Sequence, residues 1–228
     1  MLHLPPHSKN FLIPPLERRK FFLQFTLITI CGWFVATIAN IALEGVILGN
    51  LTATDSFPWV KILSTIIFAV VFAANQALVL GSYISGRLWT VATSAGWLIA
   101  YTAAMNWVRY IFPQFAITGL LSTILYICSG IWLGLCQWLV LRRYAKPAWL
   151  WIFLPSVCFL GISLFTGFLS LVRNLIPQIH HTPTILYWSE QSFKAIILGV
   201  IPALGLCSLK RNSHRPTKIS SSSYLSNS

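Results

Sequence analysis

The chain has 228 residues, of which 56% are hydrophobic and only 9% are charged. Because so little polar surface cannot cover a soluble domain of this size, the composition excludes an ordinary water-soluble protein and predicts a membrane protein. The net charge of +12 resembles that of a nucleic-acid-binding protein. The Lys and Arg residues fall at the edges of long apolar runs, however, so they indicate membrane topology and argue against nucleic acid as a partner.

Six apolar segments approach or exceed the roughly 20 residues that a helix needs to cross a bilayer. We therefore predict an all-α integral membrane helical bundle. A basic N-terminal segment (1–20) comes first, a membrane domain (21–210) follows, and a disordered Ser-rich tail (211–228) ends the chain. In chain order the predicted spans are 21–48, 58–80, 88–112, 115–141, 148–172 and 193–209. The last span is short and contains Lys194 and Pro202, which leaves five spans as the competing count.

The distribution of basic residues predicts the orientation. With the N-terminus in the cytoplasm, twelve of the 16 Lys and Arg residues fall in cytoplasmic segments, and Lys61, Arg109, Arg173 and Lys194 fall outside. This bias follows the positive-inside rule, and an even number of spans places both termini in the cytoplasm. Residues 173–192 are predicted to form a long outer loop that lies on the membrane surface.

Two motifs recur along the chain and predict an internal repeat of helical hairpins. T-I-C-G-W-F-V-A (29–36) in the first span resembles T-S-A-G-W-L-I-A (93–100) in the third. N-Q-A-L-V-L (75–80) ends the second span, and C-Q-W-L-V-L (136–141) ends the fourth. Because both motifs recur in the same order, we predict tandem hairpins that build a pseudo-symmetric bundle. The fifth and sixth spans are a weaker third copy, in which G-L-C-S (205–208) echoes G-L-C-Q (134–137).

The segment G-L-C-Q-W-L-V-L-R-R-Y-A-K-P-A-W-L-W-I (134–152), the G-W helices and the glycine-rich last helix carry a resemblance. Over most of residues 21–210 the chain resembles a group of bacterial, largely cyanobacterial, multi-pass membrane proteins for which no activity is established. The resemblance implies an even number of helices and a membrane location, and it brings no catalytic residues. Residues 81–86 depart from the basic connection at 142–146, which puts a shared role of that inner loop in doubt.

Small and amide side chains at the repeated positions predict contacts between helices. Inside lipid, helices associate through close backbone approach at small residues and through interhelical hydrogen bonds. Small residues four apart are predicted to form the packing stripes, and they are Gly32 with Ala36, Gly96 with Ala100, Gly130 with Gly134, and Gly45 with Gly49. The amides of Asn75, Gln76 and Gln137 are predicted to bond to neighbouring helices, and a symmetric polar site is the alternative reading.

Charged and aromatic residues allow further readings. Arg142 and Arg143 lie on a basic collar that is expected to contact anionic lipid headgroups, with an acidic or phosphorylated protein partner as the alternative. Glu44 is predicted to be the only carboxylate within a span and to reach the outer interface, near Arg109 or Arg173, in a polar layer that includes Asn40 and Asn106. Most of the ten Trp residues fall near span ends and are typical of an aromatic belt; a pigment or quinone groove is the alternative.

The sequence contains no recognisable catalytic constellation, phosphate loop or metal-binding spacing. All five His residues fall outside the predicted spans, which argues against an intramembrane haem, and neither a cofactor nor a metal is expected. We therefore expect a non-enzymatic structural or interaction protein whose partners are the bilayer and another membrane protein. The alternative is a small transporter or lipophilic-ligand carrier with a site between the hairpins. An intramembrane enzyme ranks third because Glu44 would act almost alone.

Overall fold

The computed structural model describes residues 11–49, 58–111, 118–175 and 182–212. Six α-helices account for most of these residues, which confirms the predicted all-α helical bundle. Their bounds are α1 Arg18–Gly49, α2 Pro58–Leu80, α3 Gly86–Ile111, α4 Thr118–Leu141, α5 Leu154–Leu175 and α6 Thr182–Ser208. A 3₁₀ helix, Trp149–Phe153, leads into α5, and two short strands, β1 Ala145–Lys146 and β2 Lys210–Arg211, pair antiparallel.

The helices form a closed ring in which each helix packs against its neighbours in the sequence and α6 packs against α1. Neighbouring helices run antiparallel. On α1 and α2, for example, Gly32 lies against Asn75 whereas Glu44 bonds to Ser64. The outer surface of the ring carries many exposed Leu, Ile and Val side chains. A ring that is apolar on its outer surface suits lipid as its solvent.

Five of the six helices are long and apolar enough to cross a membrane, and the chain is a multi-pass membrane protein. The helix that falls short of this criterion is α3, whereas the sequence predicts the last span to be the weakest. Thr90, Thr93, Ser94 and Thr102 lower the hydropathy of α3. The hydroxyls of Thr90, Ser94 and Thr102 each donate a hydrogen bond to a backbone carbonyl of α2 or α3. These polar groups are therefore compatible with a membrane helix that lies between α2 and α4.

The prediction of an outer loop at 173–192 is wrong for residues 173–175 and 182–192, which are helical, whereas residues 176–181 lie outside the described residues. Helix α5 continues to Leu175 and α6 already begins at Thr182. Pro183 lies in the first turn of α6, where its missing N–H costs no helical hydrogen bond. Glu190 and Lys194 interrupt the apolar pattern, but they are four residues apart and form an ion pair on one helical face. The helix therefore tolerates both charges and extends past Glu190, which the sequence had placed in the loop.

Prolines occur in both of the last two helices, and none interrupts its helix. Pro155 is the second residue of α5, and Pro202 lies inside α6, which continues to Ser208. Proline is tolerated in membrane helices because neighbouring helices and local adjustments satisfy the freed backbone groups.

One end of the ring, which we call the basic end, is closed by three chain segments. The backbone N–H of Leu12 donates to the Leu209 carbonyl over 2.9 Å, and Phe11 forms an isolated β-bridge with Lys210. Strand β2 continues this pairing with β1. The N-terminal segment, the connection after α4 and the segment after α6 therefore meet at the same end. The disordered tail predicted from residue 211 lies outside the described residues except for Arg211 and Asn212.

The buried core has two layers. The layer at the basic end joins the N-terminal segment to the helix ends, and the fully buried Ile13, Phe21, Leu80 and Trp89 belong to it. The second layer lies further from the basic end along the axis of the ring. It contains buried side chains from α1, α2, α4, α5 and α6, which are Trp33, Ala36, Phe72, Leu133, Cys158, Phe159, Ile162, Ala195 and Leu198.

Candidate functional site

A hydrogen-bonded network of glutamines and tryptophans lies inside the ring near the basic end. Gln76 is only 3% exposed, and its side-chain carbonyl accepts a hydrogen bond of 3.3 Å from the indole N–H of Trp89. Trp89 is fully buried in the first turn of α3. The amide thus links α2 to the helix that follows it.

Gln137 occupies the corresponding place on α4 and bonds in both directions. Its carbonyl accepts a hydrogen bond of 2.8 Å from the indole N–H of Trp151, and its amide donates to the Thr93 hydroxyl over 3.2 Å. Gln137 therefore connects α3, α4 and the 3₁₀ helix before α5. The rings of Trp89 and Trp151 meet edge to face, with centroids 6.1 Å apart, and this contact joins the two glutamine groups.

The tryptophans of this network do not face lipid. Trp151 is only 3% exposed and Trp89 is fully buried, so the aromatic belt predicted from span ends is wrong for these two residues. Trp149, which is 56% exposed, is placed as a belt residue would be. Proximity to a helix end cannot separate a ring that faces lipid from one that faces the next helix.

A third bond between a tryptophan and a glutamine closes the ring. The indole N–H of Trp33 on α1 donates to the side-chain carbonyl of Gln191 on α6 over 3.1 Å. Sequence reasoning missed Gln191 because residue 191 was placed in the outer loop. The periodic signal was present, because Gln191 shares a helical face with Ala195 and Leu198, both of which are buried.

The other polar residues predicted from the sequence lie apart from this network. Asn75 donates to the Val71 carbonyl of its own helix and packs against Gly32, so its described bond is not interhelical. Glu44 accepts 2.9 Å and 3.5 Å hydrogen bonds from Ser64 and Asn40. The side chains of Arg109 and Asn106, which were predicted near it, lie outside the described set.

Both collar arginines are exposed at the basic end. The guanidinium of Arg142 lies over the Trp138 ring, 5.1 Å from its centroid, while Arg143 follows it on the exposed surface. The same end exposes Lys146, Lys210 and Arg211 on the paired strands.

The small residues lie where neighbouring chain segments approach most closely. A Cβ added to Gly32 would lie 2.7 Å from Asn75, and one added to Gly96 would lie 2.9 Å from Leu133. Gly130 and Gly134 face the backbone of residues 152–156, where a methyl group at Gly134 would overlap the Ile152 carbonyl. Ala36 and Ala100 are buried, at 0% and 2% exposure. A Cβ added to Gly45 would meet no described atom within 4 Å, and the surroundings of Gly49 lie outside the described set.

Aromatic side chains fill the middle of the ring. We call Trp33, Phe68, Phe72, Trp97, Tyr126 and Phe159 the aromatic layer. Trp97 lies between Trp33 and Phe159, with centroid distances of 6.3 Å and 5.7 Å, and Phe159 stacks on Tyr126 at 4.8 Å. A cavity of about 20 Å³ remains between this layer and the glutamines, which is room for one water molecule.

A larger and more polar cavity, which we call the vestibule, opens on the other side of the aromatic layer. Its volume is about 480 Å³. Three consecutive helices of the ring supply its walls, and its lining consists of Ser122, Thr123 and Tyr126 on α4, Ile162, Ser163, Thr166, Gly167 and Ser170 on α5, and Glu190 and Lys194 on α6. Tyr126 and Ile162 also pack in the core, so they form the floor of the vestibule.

An ion pair lines the vestibule within a membrane-spanning segment. The ammonium of Lys194 lies 2.6 Å from the Glu190 carboxylate, and the two side chains are 22% and 27% exposed. Both belong to the stretch Thr184–Ser208, which is apolar enough to cross a membrane. The prediction that Glu44 is the only carboxylate within a span is therefore wrong. Ionisable residues within a membrane-spanning segment are costly and commonly mark functional sites.

A second cavity of about 300 Å³ shares Thr166, Ser170 and Glu190 with the vestibule and adds Arg173 and Tyr187 to its lining. The sequence contained a signal for both cavities. Ser163, Thr166 and Ser170 recur at helical spacing on α5, and Glu190 and Lys194 have the spacing of a helical ion pair. The assignment of residues 173–192 to a loop concealed the pairing of these two faces.

Within the described ranges, no group of three or more His, Cys, Asp or Glu side chains is placed to hold a metal ion. His180 and His181, which carry side chains of a type that can bind metal, lie outside those ranges. No protein-family model matches the chain, and neither a curated protein nor a solved structure is significantly similar to it. The chemistry of the two polar regions is therefore the basis for interpretation.

Proposed function

We propose that this protein is a non-enzymatic, membrane-embedded interaction protein whose closed ring acts as a rigid scaffold. The observation that carries this proposal is the way the interior is filled. The side-chain carbonyls of Gln76 and Gln137 accept hydrogen bonds from buried indoles. The space between these glutamines and the aromatic layer has room for only one water molecule. Side chains that are bonded to one another in this way stabilise a scaffold and leave no wide path along the axis of the ring.

In this proposal all six helices cross the membrane and both termini lie in the cytoplasm. Packing of α3 between α2 and α4 supports a sixth crossing although α3 is less apolar than the other helices. The pairing of the N-terminal segment with β2 puts the two ends of the described chain on one side. The exposed Lys and Arg residues at that end support a cytoplasmic location by the positive-inside rule.

We also propose that the first four helices are two copies of one hairpin. Matching positions make matching contacts, because Gly32 lies against Asn75 while Gly96 lies near Cys136. Cys136 precedes Gln137 in the same way that Asn75 precedes Gln76. The last two helices share this pattern less, since a Cβ added to Gly161 would lie nearest Ile197, at 3.9 Å, rather than a residue of the G-L-C-S motif.

The proposed contact surface is the basic end. Arg142, Arg143 and Lys146 are exposed there beside the exposed strand β2, whereas Glu17 is the one acidic residue among the described residues that contacts this end, through Tyr83. A surface with this charge favours anionic lipid headgroups and acidic segments of a membrane-protein partner. Its binding should weaken as salt concentration rises.

Site-specific photo-cross-linking in native membranes tests this role. A photoreactive residue at Arg143 is expected to give a discrete, salt-sensitive protein adduct, whereas one at Leu171 of α5, which is 63% exposed, should label lipid only. Lipid adducts alone at both positions would contradict the proposal. So would purification from mild detergent as a solitary monomer without a stable partner.

A small-ligand carrier is the second candidate, and the vestibule is the observation that favours it. Its polar walls and volume of about 480 Å³ suit a small solute. The floor formed by Tyr126 and Ile162 meets the aromatic layer, so a bound ligand would have to leave by its entry route unless the layer rearranges. Binding from one side is therefore better supported than passage through the ring.

A further inference from the structure

The ion pair in the vestibule has hydrogen-bonding capacity beyond what it uses internally. Oε1 of Glu190 receives both the Lys194 ammonium and, at 3.4 Å, the Thr166 hydroxyl. Among the described residues, Oε2 of Glu190 accepts no hydrogen bond, and the ammonium of Lys194 has three N–H donors of which the pair uses one. The ion pair alone compensates the two charges of α6 in the bilayer, so this purpose does not require the remaining donors and acceptor. The unused donors and acceptor line a cavity.

The hydroxyl groups around the pair are mainly available as acceptors. Ser122 and Thr123 both donate to the Gly119 carbonyl, and Ser170 donates to the Gly167 carbonyl. Their protons are committed to the helix backbone, so their free lone pairs can accept hydrogen bonds. Together with Glu190 they suit an ammonium group on a ligand.

Cationic donors lie on the same part of α5 and α6. Lys194 lines the vestibule, and Arg173 lines the adjoining cavity that shares Glu190 with it. An ammonium and a guanidinium suit a carboxylate or a phosphate. The region therefore offers groups of both signs within two cavities that adjoin each other.

The charge balance narrows the ligand class. A simple cation bound at Oε2 of Glu190 would give the site a net positive charge beside Lys194, and a simple anion bound at the spare donors of Lys194 would give it a net negative charge beside Glu190. An uncompensated charge in a partly buried site is unfavourable. A ligand with both charges supplies a new partner to each group and keeps the site neutral.

We propose that the vestibule binds a zwitterion, with Glu190 receiving its ammonium group and Lys194 its anionic group. The same chemistry occurs in a free amino-acid-like solute and in the headgroup of phosphatidylethanolamine. The inference rests on the second candidate function and is independent of the interaction role. Cross-linking at Arg143 and ligand binding are separate measurements, so either proposal can fail alone.

The test uses the full chain in nanodiscs of phosphatidylglycerol, which lacks an ammonium group, and follows the thermal unfolding midpoint. The probe is 4-aminobutanoate, and the matched probes are butylamine, butanoate and glycerol. We expect 4-aminobutanoate to raise the midpoint more than any matched probe. In a parallel arm, phosphatidylethanolamine replaces part of the lipid without added solute. A shift in the solute arm alone assigns a free ligand, a shift in the lipid arm alone assigns a headgroup, and a shift in both supports the shared chemistry.

Two variants locate the binding. The double variant Glu190→Gln/Lys194→Gln keeps two hydrogen-bonding side chains and removes both charges, so the shift should disappear. Gly167→Leu leaves the pair intact and places a bulky side chain in the vestibule, which Gly167 lines, and a Cβ added there meets no described atom within 4 Å. Glu44→Gln, which changes a carboxylate on the α1–α2 pair, is the control and should keep the full shift.

Several results would overturn the proposal. Equal shifts with butylamine, butanoate or glycerol would show that the site does not require both charges. The absence of a shift in both arms would show that it does not bind a zwitterion. If Gly167→Leu folds and keeps the full shift, the ligand binds elsewhere.

Discussion

Replacing Gly134 with alanine tests how closely α4 approaches the segment that leads into α5. A methyl group at this position would overlap the Ile152 carbonyl oxygen and lie 2.7 Å from its carbon. These are backbone atoms, so they cannot rotate away as the end of a long side chain can. Either α4 or the 3₁₀ helix Trp149–Phe153 has to move, and that movement would also strain the bond from Trp151 to Gln137.

The expected magnitude follows from a matched variant. Gly45→Ala makes the same chemical change in α1, where an added Cβ meets no atom of the described residues within 4 Å. There, alanine should stabilise the helix by about 1 kcal/mol because it is the better helix former. The same gain applies at Gly134, so the difference between the variants isolates the clash. Overpacking of this kind costs about 1–3 kcal/mol, with Gly134→Ala the less stable variant.

Both variants would be purified in the same detergent and unfolded reversibly with a denaturing detergent, with helical circular dichroism as the signal. The free energy of unfolding of Gly134→Ala should fall below that of Gly45→Ala by the amount given above. Equal free energies of unfolding for the two variants would refute the close approach of α4 to residue 152.

Three further predictions concern the interior and the basic end. Gln137→Leu leaves the buried indole of its tryptophan partner without an acceptor and should lower the free energy of unfolding by about 1–3 kcal/mol; Leu139→Ala on the exposed face should change it by no more than about 0.5 kcal/mol. Ile13→Ala, at a fully buried position, should cost about 2–5 kcal/mol, and the same measurement on Leu16→Ala, at an 81% exposed position, should show almost none of that loss. Burial raises the pKa of Tyr83 to about 12. Its neutral form is thus favoured by folding, and this contribution is complete below pH 10 and is lost as the pH rises toward about 12. The thermal unfolding midpoint should decrease as the pH rises through that range, and it should decrease less in Tyr83→Phe. An identical decrease in both proteins would contradict this assignment.

Hydropathy predicted helix positions well where apolar runs are uninterrupted. The predicted span 58–80 coincides with α2, and the predicted end of α4 at 141 is also observed. It failed at the start of α6, where the predicted span began only at residue 193, after Glu190, although the pairing of Glu190 with Lys194 lets the helix begin at Thr182. Linear hydropathy adds residue contributions independently, so it cannot register two charges that neutralise one another.

The candidate sites were predictable to different extents. The repeat pointed to Gln76 and Gln137 as buried amides, because a polar residue at the same place in two helix ends suggests a common contact. The identity of the partners, Trp89 and Trp151, required the fold, since their indoles reach back from the following chain segment. The vestibule could be found only from the fold, because its walls belong to three helices. The sequence also predicted that Glu190 and Lys194 lie on the outer side of the membrane.

The bond between Trp33 and Gln191 has a consequence for biogenesis. These residues belong to α1 and α6, so the indole of Trp33 obtains its acceptor only after the chain has been synthesised through α6. Until then one flank of α1, including the surface of Thr26 against which Gly199 packs, has no neighbour from α6. Such a long-range contact closes late in assembly. Insertion intermediates therefore resemble an open arc, and a chain released before α6 presents a free edge that chaperones or membrane proteases can recognise.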